Sequence, residues 1–545
     1  MSFVFNTYKN LFFTFYFNWP MIFTAPLSSI AFVSVYPTLG ILLLLFEIGL
    51  KIFMEYLGGA ELFQYISEKY GSGFGAINWG SPNLLLCDET RDLVRTTIPS
   101  LGQPDREPTV TGFRRRTFDL SIAQTFTVLS SLIYERHAQK VREAYELMIS
   151  QPDEINMDDD IETAAEKHLK ELLSESERPI RDITARWGLN FAGVSELKSL
   201  GGPFCGIYWS DSHPFIVVAF KGTTPTNYEE FLVDATFQRM DARSFLYGSV
   251  HEGFYEAVFP STHYASEDTR DPYGAILHAV NEKAREIQEN LDTTSPVQVW
   301  ITGHSLGAAM SSLLFARWLK CPEDLSSRCQ LRDAYVIGTP AVGDNDFASM
   351  FSSYNNVPVT RSSVLWRVMN KQDIFCHLPP GYDDRTIGQY MSSTDFFNYS
   401  HVGHAIHIKH RWHRKPIRVY PSSYQPTMQV EIVLGAWDPT REEKEQYDCT
   451  NDLVQSAQER DDQVAKRPLP RLVRRLESQP WFQFLAKRYG DDNPIHLLEK
   501  IYPFFITDHM PVNYFKGLQR ARAYYKKKTE QQAAEALQIA QKKLN

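Results

Sequence analysis

A serine between two glycines, set between an apolar run and a helix-forming run, constrains this fold more than any other sequence feature. The pentapeptide Gly303-His304-Ser305-Leu306-Gly307 follows VQVWIT and opens the stretch AAMSSLLFARWL. A serine on a sharp strand-to-helix turn exposes its hydroxyl only if the residues two before and two after it lack colliding side chains. Gly303 and Gly307 meet that need, so the segment predicts a nucleophile elbow beside the positive end of a helix.

Short apolar runs on both sides of the elbow indicate the fold class. FCGIYW, FIVVAF, VQVWIT, AYVIGT and VLWRVM follow one another from Phe204 onward, with a helix-forming stretch after VQVWIT. Strands that alternate with helices are typical of an α/β protein with a mostly parallel central sheet. Further upstream, residues 119–149 have a helical spacing of apolar residues and predict at least one amphipathic helix.

Five segments between Phe215 and Pro380 carry a family resemblance. In chain order they are FKGT, HEGF, GHSLGAA, IGTPAVGD and WRVMNKQDIFCHLPP. The series resembles the class 3 lipase family, the fungal-type triacylglycerol lipases. The resemblance implies an α/β-hydrolase fold, a Ser-Asp-His triad and hydrolysis of lipid carboxylic esters, with neither a cofactor nor a metal. It does not extend to the first 100 residues, the charged insertions or the basic end.

Acyl transfer by Ser305 requires a histidine that takes its proton and a carboxylate that orients the imidazole. In α/β-hydrolases the acid follows a later strand than the serine, and the histidine comes last. Asp373 comes shortly after VLWRVM and matches the family's acid, so we predict it as the third member. Asp344 and Asp346, which follow an earlier strand, are the alternatives.

Fifteen histidines compete for the role of base. His509, in FFITDHMPVNYFKGL, comes late and matches the family's terminal histidine, which an aromatic pair follows. We predict His509 as the base, with His401 or His404 as the alternative. A run with a histidine at every third position invites a metal-site interpretation, but this spacing alternates faces on a strand and no cysteine or carboxylate cluster completes a site. That run is His401, His404, His407, His410 and His413.

The oxyanion of the tetrahedral intermediate needs two hydrogen-bond donors. One is expected to be the backbone N–H of Leu306. The second is expected from Thr223, which follows FIVVAF-Lys-Gly and aligns with the family's serine or threonine; an ordinary turn at the end of a strand is the alternative. Thr224–Phe237 is amphipathic and occupies the position of the family's lid, unless it is a plain surface helix.

The run from Leu11 to Phe46 contains no charged residue. As one helix it would be about 54 Å long, against a hydrocarbon core of about 30 Å. A single span over Leu27–Phe46, a hairpin inserted from one face and a buried core hairpin all remain open. We expect residues 1–56 to attach the chain to a membrane. Three prolines argue against one straight helix: Pro20, Pro26 and Pro37.

The remaining regions complete the predicted organisation. Residues 57–104 are interpreted as a linker, and residues 105–520 as the hydrolase domain, with charged insertions at about 150–180 and 440–467. Residues 521–545 are interpreted as a basic helix or tail. The net charge of −9 gives no general basic field for nucleic acid. Six cysteines without a CxxC pair argue against a disulfide scaffold or a zinc finger.

These features together predict an intracellular, membrane-associated lipase. Its substrate would be an acylglycerol at a membrane or lipid-droplet surface, with the endoplasmic reticulum or the droplet as the expected location. Three alternatives remain open: a phospholipase A-type activity, a catalytically silent lipase-like scaffold at a membrane, and a soluble esterase whose first segment belongs to the core.

Overall fold

The computed structural model describes most of the hydrolase region and little of the amino-terminal run. The described residues are 82–104, 115–150, 163–197, 204–222, 239–260, 271–349, 363–379, 399–422, 429–439, 478–489 and 507–544, with single residues and short pieces within 16–58 and at 474–475. Thr223, the predicted lid and the insertion at 440–467 lie outside them, as does most of the predicted membrane segment. Within the described residues, no helix is both long and apolar enough to cross a bilayer. Membrane attachment therefore stays a prediction.

Helices and strands alternate through the described chain. The helices are α1 (Pro82–Leu85), α2 (Asp88–Leu101), α3 (Leu120–Leu132), α4 (Ala138–Ser150), α5 (Ala164–Trp187), α6 (Glu252–Val258), α7 (Pro272–Asn290), α8 (Leu306–Lys320), α9 (Asn345–Ser349), α10 (Pro480–Tyr489) and α11 (Pro511–Leu544). The strands are β1 (Arg115–Asp119), β2 (Asn190–Glu196), β3 (Phe204–Trp209), β4 (Phe215–Lys221), β5 (Arg239–Asp241), β6 (Ser249–His251), β7 (Val297–His304), β8 (Cys329–Ile337), β9 (Leu365–Asn370), β10 (His404–Ile408), β11 (Ile417–Tyr420) and β12 (Gln429–Val433).

Eight strands form the central sheet, in the order β11-β10-β9-β8-β7-β4-β3-β2. Neighbours from β4 to β10 pair in parallel, whereas β2 and β3 at one edge and β11 at the other pair antiparallel. Four of the seven pairings in this sheet are parallel, as expected for a mostly parallel sheet, but its edges are antiparallel and the sheet as a whole is mixed. The segments between β3 and β4 and between β10 and β11 are too short for the crossover that a parallel pair requires. This mixed sheet fits an α/β-hydrolase fold.

Alternate side chains of the parallel strands enter two separate cores. On β4, Val217 and Ala219 join the core on one face, and Val218 and Phe220 join the core on the other. Helices α2, α3, α5 and α11 contribute to the first core, and α6, α7 and α8 contribute to the second. Burial of both faces explains why these strands are continuous apolar runs rather than alternating ones.

Helix α3 was expected to be amphipathic, but every residue from Leu120 to Leu132 is buried. The helix packs against the sheet on one side and against α2 and α11 on the other. Two of its buried hydroxyl groups are satisfied within the helix. Thr127 donates to the Ala123 carbonyl at 2.8 Å. Ser130 likewise donates to the Thr127 carbonyl at 3.0 Å. Internal hydrogen bonds therefore lower the cost of burying these polar residues on a helix that is covered on all sides.

The predicted linker at 57–104 differs from the structure in its last part. Residues 82–101 are largely helical, and Leu93, Val94 and Leu101 of α2 are fully buried in the first core. Proline and glycine in this region led to the linker interpretation, yet Pro99 lies inside α2. The apolar face of α2 is part of the folded domain, which therefore begins upstream of residue 105.

Two charged regions also form ordered helices. The predicted insertion at 150–180 overlaps α5, which extends to Trp187 and begins with a capping box between Thr163 and Glu166. Leu169 and Leu172 on its buried face pack against α4. The predicted boundary at residue 520 falls inside α11, whose first turns are buried while the residues from 527 to 539 are exposed. Residues 521–544 are therefore helical, as expected, but they continue a core helix.

Candidate active site

Ser305 occupies the turn between β7 and α8, with a φ of 58° and a ψ of −128°. Backbone of this kind costs a non-glycine residue about 1–3 kcal/mol and persists only where its surroundings fix it. The Ser305 N–H donates to the Ile337 carbonyl at 2.9 Å, and the Ser305 carbonyl accepts from the Ala308 N–H at 3.0 Å. Strand β8 and the first turn of α8 thus hold the serine in its strained position.

The two glycines of the pentapeptide are required by close backbone approach. A Cβ on Gly307 would lie 2.2 Å from the carbonyl oxygen of Phe220, at the end of β4. A Cβ on Gly303 would lie 2.5 Å from the carbonyl oxygen of Gly307. Neither backbone atom can move without displacing β4 or α8, so a side chain at either position would disturb the turn that carries Ser305.

The structure brings together the three residues predicted as a triad. The Ser305 Oγ lies 2.8 Å from the His509 Nε2, and the His509 Nδ1 lies 2.8 Å from the Asp373 Oδ2. The side chains are buried, with 7% exposure for Ser305, 1% for Asp373 and 0% for His509. Serine hydroxyl, imidazole and carboxylate therefore form one continuous hydrogen-bonded chain at the carboxyl ends of the parallel strands.

The alternative acids have other partners. Asp344 accepts from the Ser249 N–H at 3.0 Å and pairs with Arg239 at 3.6 Å. Asp346 is exposed and lies 3.5 Å from Arg243.

The histidines of the regularly spaced run are also placed elsewhere. The His404 Nδ1 accepts from the Ser422 N–H at 3.1 Å. Burial, and then the charge of Arg367, lowers the pKa of His401 well below its usual value. His407 contacts the Lys371 carbonyl at 2.8 Å through its Nε2. The imidazole that reaches Ser305 therefore belongs to His509, not to His401 or His404.

Asp373 receives hydrogen bonds from several elements. The Phe375 N–H donates to its Oδ1 at 3.0 Å, and the Tyr514 hydroxyl donates to its Oδ2 at 2.5 Å. The Cys376 thiol lies 3.5 Å from the same Oδ2. Burial first, and the nearby Asp373 charge second, raise the pKa of Tyr514 well above its usual value. Tyr514 therefore stays protonated and acts as a donor that fixes the carboxylate.

His509 is held through the residue before it. The Asp508 carboxylate pairs with the Lys371 ammonium at 2.7 Å and accepts from the Gln372 N–H at 3.3 Å. Its backbone carbonyl accepts from the Asn370 side-chain amide at 2.8 Å. These contacts join the base-bearing segment to the end of β9, three residues before the acid Asp373.

A second group of contacts connects the base to the elbow. The His304 Nε2 lies 2.8 Å from the His509 carbonyl oxygen. Burial, and then the neighbouring His509, lowers the pKa of His304 well below its usual value. The ring is therefore neutral, and its Nε2–H donates to that carbonyl. Because the His509 carbonyl is fixed in this way, the backbone that carries the imidazole is anchored at the elbow itself.

Tyr134 links the elbow to the start of the predicted oxyanion loop. Its hydroxyl accepts from the Gly222 N–H at 3.2 Å and donates to the His304 carbonyl at 3.2 Å. Burial raises the pKa of Tyr134 well above its usual value, so the hydroxyl keeps the proton that it donates. Leu306 is the first residue of α8, where backbone N–H groups have no partner within the helix. The other predicted donor, Thr223, follows Gly222 but lies outside the described residues.

Sequence reasoning missed four residues that support this site: Tyr134, Tyr514, Lys371 and Asp508. Tyr134 and Gly222 are 88 positions apart, and Lys371 and Asp508 are 137 positions apart. No local pattern marks such pairs, because long-range packing selects the partner. The sequence signal for Asp508 and Tyr514 was their closeness to the predicted base: Asp508 directly precedes His509, and Tyr514 follows it by five residues.

Comparisons with known proteins locate this arrangement within a family. Residues 217–382 match the family described as lipase (class 3). The chain is 30% identical over 142 residues to phospholipase A1-IIgamma of Arabidopsis thaliana, a match that covers 25% of this chain and 31% of the relative. It is 28% identical over 170 residues to a lipase of Rhizomucor miehei, covering 31% of this chain and 39% of the relative.

A solved structure of the Rhizomucor miehei triacylglyceride lipase is also similar. It is 24% identical, with a TM-score of 0.31, and the match covers 44% of this chain and 74% of that one. The chain spans about a third of the length of the curated relatives that it matches. The family match includes β7, the elbow and the Asp373 segment but ends before His509, and it confirms the resemblance carried by the five sequence segments. The part of the chain that holds the nucleophile turn and the acid, residues 217–382, therefore matches the class 3 lipase family.

Proposed function

We propose that the protein is a serine hydrolase that cleaves carboxylic esters of lipids through an acyl-enzyme, with acylglycerols as the main substrates. The observation that carries this proposal is the hydrogen-bonded chain from the Ser305 hydroxyl through His509 to Asp373, with both links at 2.8 Å. The match of residues 217–382 to the class 3 lipase family supports it.

In the first half-reaction, Ser305 Oγ attacks the ester carbonyl while His509 Nε2 takes the hydroxyl proton. The imidazolium then gives this proton to the departing alcohol as the tetrahedral intermediate collapses. Asp373 keeps the Nδ1 proton of His509 in place and stabilises the positive charge that forms on the ring. In the second half-reaction, His509 activates a water that attacks the acyl-enzyme, releases the fatty acid and restores Ser305.

The negative oxygen of each tetrahedral intermediate needs fixed donors. The backbone N–H of Leu306 and the N–H and hydroxyl of Thr223 are the proposed donors. Loss of one such donor costs about 3 kcal/mol, or roughly a hundredfold or more in kcat. The hydrogen bond from Gly222 to Tyr134 supports this assignment, because it holds the residue before Thr223 against the elbow.

The substrate class is proposed from the names of relatives together with the sequence. The fungal relatives are lipases, which favours acylglycerols. A phospholipase A-type activity is the second candidate, and the match to phospholipase A1-IIgamma favours it. The uncharged amino-terminal run supports an intracellular protein that associates with the endoplasmic reticulum or a lipid droplet, where such substrates are concentrated. We assign the predicted lid role to residues 224–237 on the family resemblance alone.

The nucleophile is tested with the purified full chain and a fluorophosphonate probe. Labelling is expected for the wild type and for Ser312→Ala, a matched control at a buried serine of α8, and is expected to be lost in Ser305→Ala. Persistent labelling of Ser305→Ala would refute the nucleophile assignment. Turnover of a short-chain nitrophenyl ester separates an enzyme from a silent scaffold, since a scaffold shows no turnover above the Ser305→Ala background.

The substrate class is tested by direct competition. Triacylglycerol, diacylglycerol and phosphatidylcholine are presented in the same emulsion, and the released fatty acids and lysolipids are quantified. Faster release from acylglycerols supports the lipase proposal. Faster formation of lysophosphatidylcholine would favour the phospholipase alternative.

A further inference from the structure

The turn between β10 and β11 is basic and carries an exposed tryptophan. Residues 409–416, here called the hairpin tip, have the sequence KHRWHRKP. From Lys409 to Arg418 the chain has five lysines or arginines and two histidines but no acidic residue. Trp412 is 71% exposed. A large aromatic side chain exposed to this extent among cations has no role in the core.

The hairpin tip has a defined shape. The Lys409 N–H donates to the Pro416 carbonyl at 2.7 Å and closes its base, and the His413 N–H donates to the His410 carbonyl at 3.0 Å. The His410 ring stacks on the Trp412 indole, with ring centroids 4.2 Å apart and an angle of 4° between the planes. These contacts present the indole on an ordered turn.

The positive charges at the hairpin tip are available to a partner. Arg411, Arg414 and Lys415 are exposed. Among the residues that the structure describes, no carboxylate forms an ion pair with any of the three. A patch of this kind attracts a surface of negative charge.

The hairpin tip follows the carboxyl end of β10. It therefore lies at the same end of the parallel strands as the active site. Strand β10 runs parallel to β9, with Ile408 opposite Asn370, and the Lys371 N–H donates to the Ile408 carbonyl at 2.8 Å. Lys371 is the first residue after β9, and Asp373 comes two residues later in the chain. On α11, which begins just after the base, the Arg520 guanidinium donates to the Lys409 carbonyl.

We propose that the hairpin tip docks the protein on an anionic lipid bilayer, with the carboxyl ends of the parallel strands, where the active site lies, next to the bilayer. Tryptophan favours the headgroup region, where its ring is partly apolar and its N–H stays hydrated. Lysines and arginines are attracted to anionic headgroups within about one Debye length of the surface. The combination of an exposed indole with exposed cations therefore matches a bilayer of this composition. The proposal rests on the proposed function only for the choice of a lipid partner, since docking itself requires no turnover.

The binding test uses the purified full chain and flotation with vesicles of phosphatidylcholine, with and without phosphatidylserine. Each basic residue near an anionic bilayer changes the partition coefficient by roughly fivefold. Arg411→Gln/Arg414→Gln should therefore weaken binding to the phosphatidylserine vesicles roughly twenty-five-fold, and added salt should erase this difference. The charge-matched control is Lys527→Gln/Lys528→Gln, on the exposed part of α11, which should bind as the wild type does.

A second measurement is independent of how else the chain is held at a membrane. Lipids brominated in the acyl chain quench indoles that enter the bilayer, so part of the quenching should disappear in Trp412→Ala but persist in Leu537→Ala. Hydrolysis of a soluble nitrophenyl ester should stay unchanged in all these variants. If the wild type does not hydrolyse the ester, the proposed function is refuted. The docking proposal is then still tested by flotation and quenching.

Three results would overturn the docking proposal. The first is equal quenching in the wild type and in Trp412→Ala. The second is an equal loss of vesicle binding in the two double variants, because the attraction would then be a property of exposed cations in general. The third is unchanged vesicle binding in Arg411→Gln/Arg414→Gln together with lost binding to polyuridylic acid, which would reassign the hairpin tip to nucleic acid.

Discussion

Replacing Asp508 by asparagine tests how the base is held at the active site. The Asp508 side chain is 5% exposed and pairs with Lys371, whose side chain is 22% exposed, at 2.7 Å. The substitution keeps the size of the side chain and the backbone bond from Asn370 but removes the negative charge. Lys371 then loses its partner in a partly buried place, and the Gln372 N–H loses a charged acceptor.

The expected loss follows from these contacts. A hydrogen bond to a charged group contributes about 1.5–3 kcal/mol, and the residual exposure of Lys371 lets water recover part of it. We therefore expect Asp508→Asn to lower the free energy of unfolding by about 2–3 kcal/mol. Because a shift of about 1 Å in a catalytic group costs roughly a hundredfold, kcat for a nitrophenyl ester should fall between tenfold and a hundredfold at a similar KM. Asp346→Asn is the matched control, since its exposed pair with Arg243 contributes less than about 1 kcal/mol.

A double-mutant cycle with Lys371→Met decides whether the pair acts as a unit. Each single variant leaves one charge without its partner, whereas the double variant leaves neither. The double variant should therefore be more stable than the sum of the two losses predicts, with a coupling energy of about 1–3 kcal/mol. Additive losses of stability, or an unchanged kcat in Asp508→Asn, would refute the view that this ion pair positions His509.

Three further predictions concern the elbow, the acid and the response to pH. Gly307→Ala would place a Cβ 2.2 Å from the Phe220 carbonyl, so thermal unfolding should show a loss of several kcal/mol (roughly 3 or more), and wild-type stability would refute the close approach. Tyr514→Phe removes the donor at 2.5 Å from Asp373 and should cost about 1.5–3 kcal/mol in urea unfolding; no loss would mean that the hydroxyl does not stabilise the carboxylate. Burial lowers the pKa of His407 to about 4, below its unfolded value of about 6.5. The unfolded chain therefore takes up a proton first, stability should fall as pH drops from about 6.5 to 4, and His407→Gln should make that fall shallower in denaturation measured across this range.

The sequence predicted those parts of the site that chemistry restricts to a residue type and an order along the chain. The serine between glycines marked Ser305, and the family resemblance then selected Asp373 and His509 among their alternatives. The structure brings the three side chains into contact. The supporting residues were not predictable in this way. Any tyrosine can donate a hydrogen bond, and packing across the whole chain decides that Tyr134 and Tyr514 meet this site.

The same reasoning explains which parts of the fold were anticipated. Apolar strands and the helix after the elbow were visible because periodicity and composition are local properties. The burial of α3 on all sides was not, because it depends on α11, which lies almost 400 positions further along the chain. The antiparallel edges of the sheet were also missed, since strand composition does not record direction.

Helix α11 joins the integrity of the core to the presence of the general base. Its first turns cover α3 through buried side chains such as Phe515 and Leu518, and the same segment carries His509 and Tyr514 to the acid. Displacement of this helix would therefore uncover α3 and remove the imidazole from Ser305 at the same time. Stability and the proposed activity are thus expected to fall together when the buried face of this helix is changed.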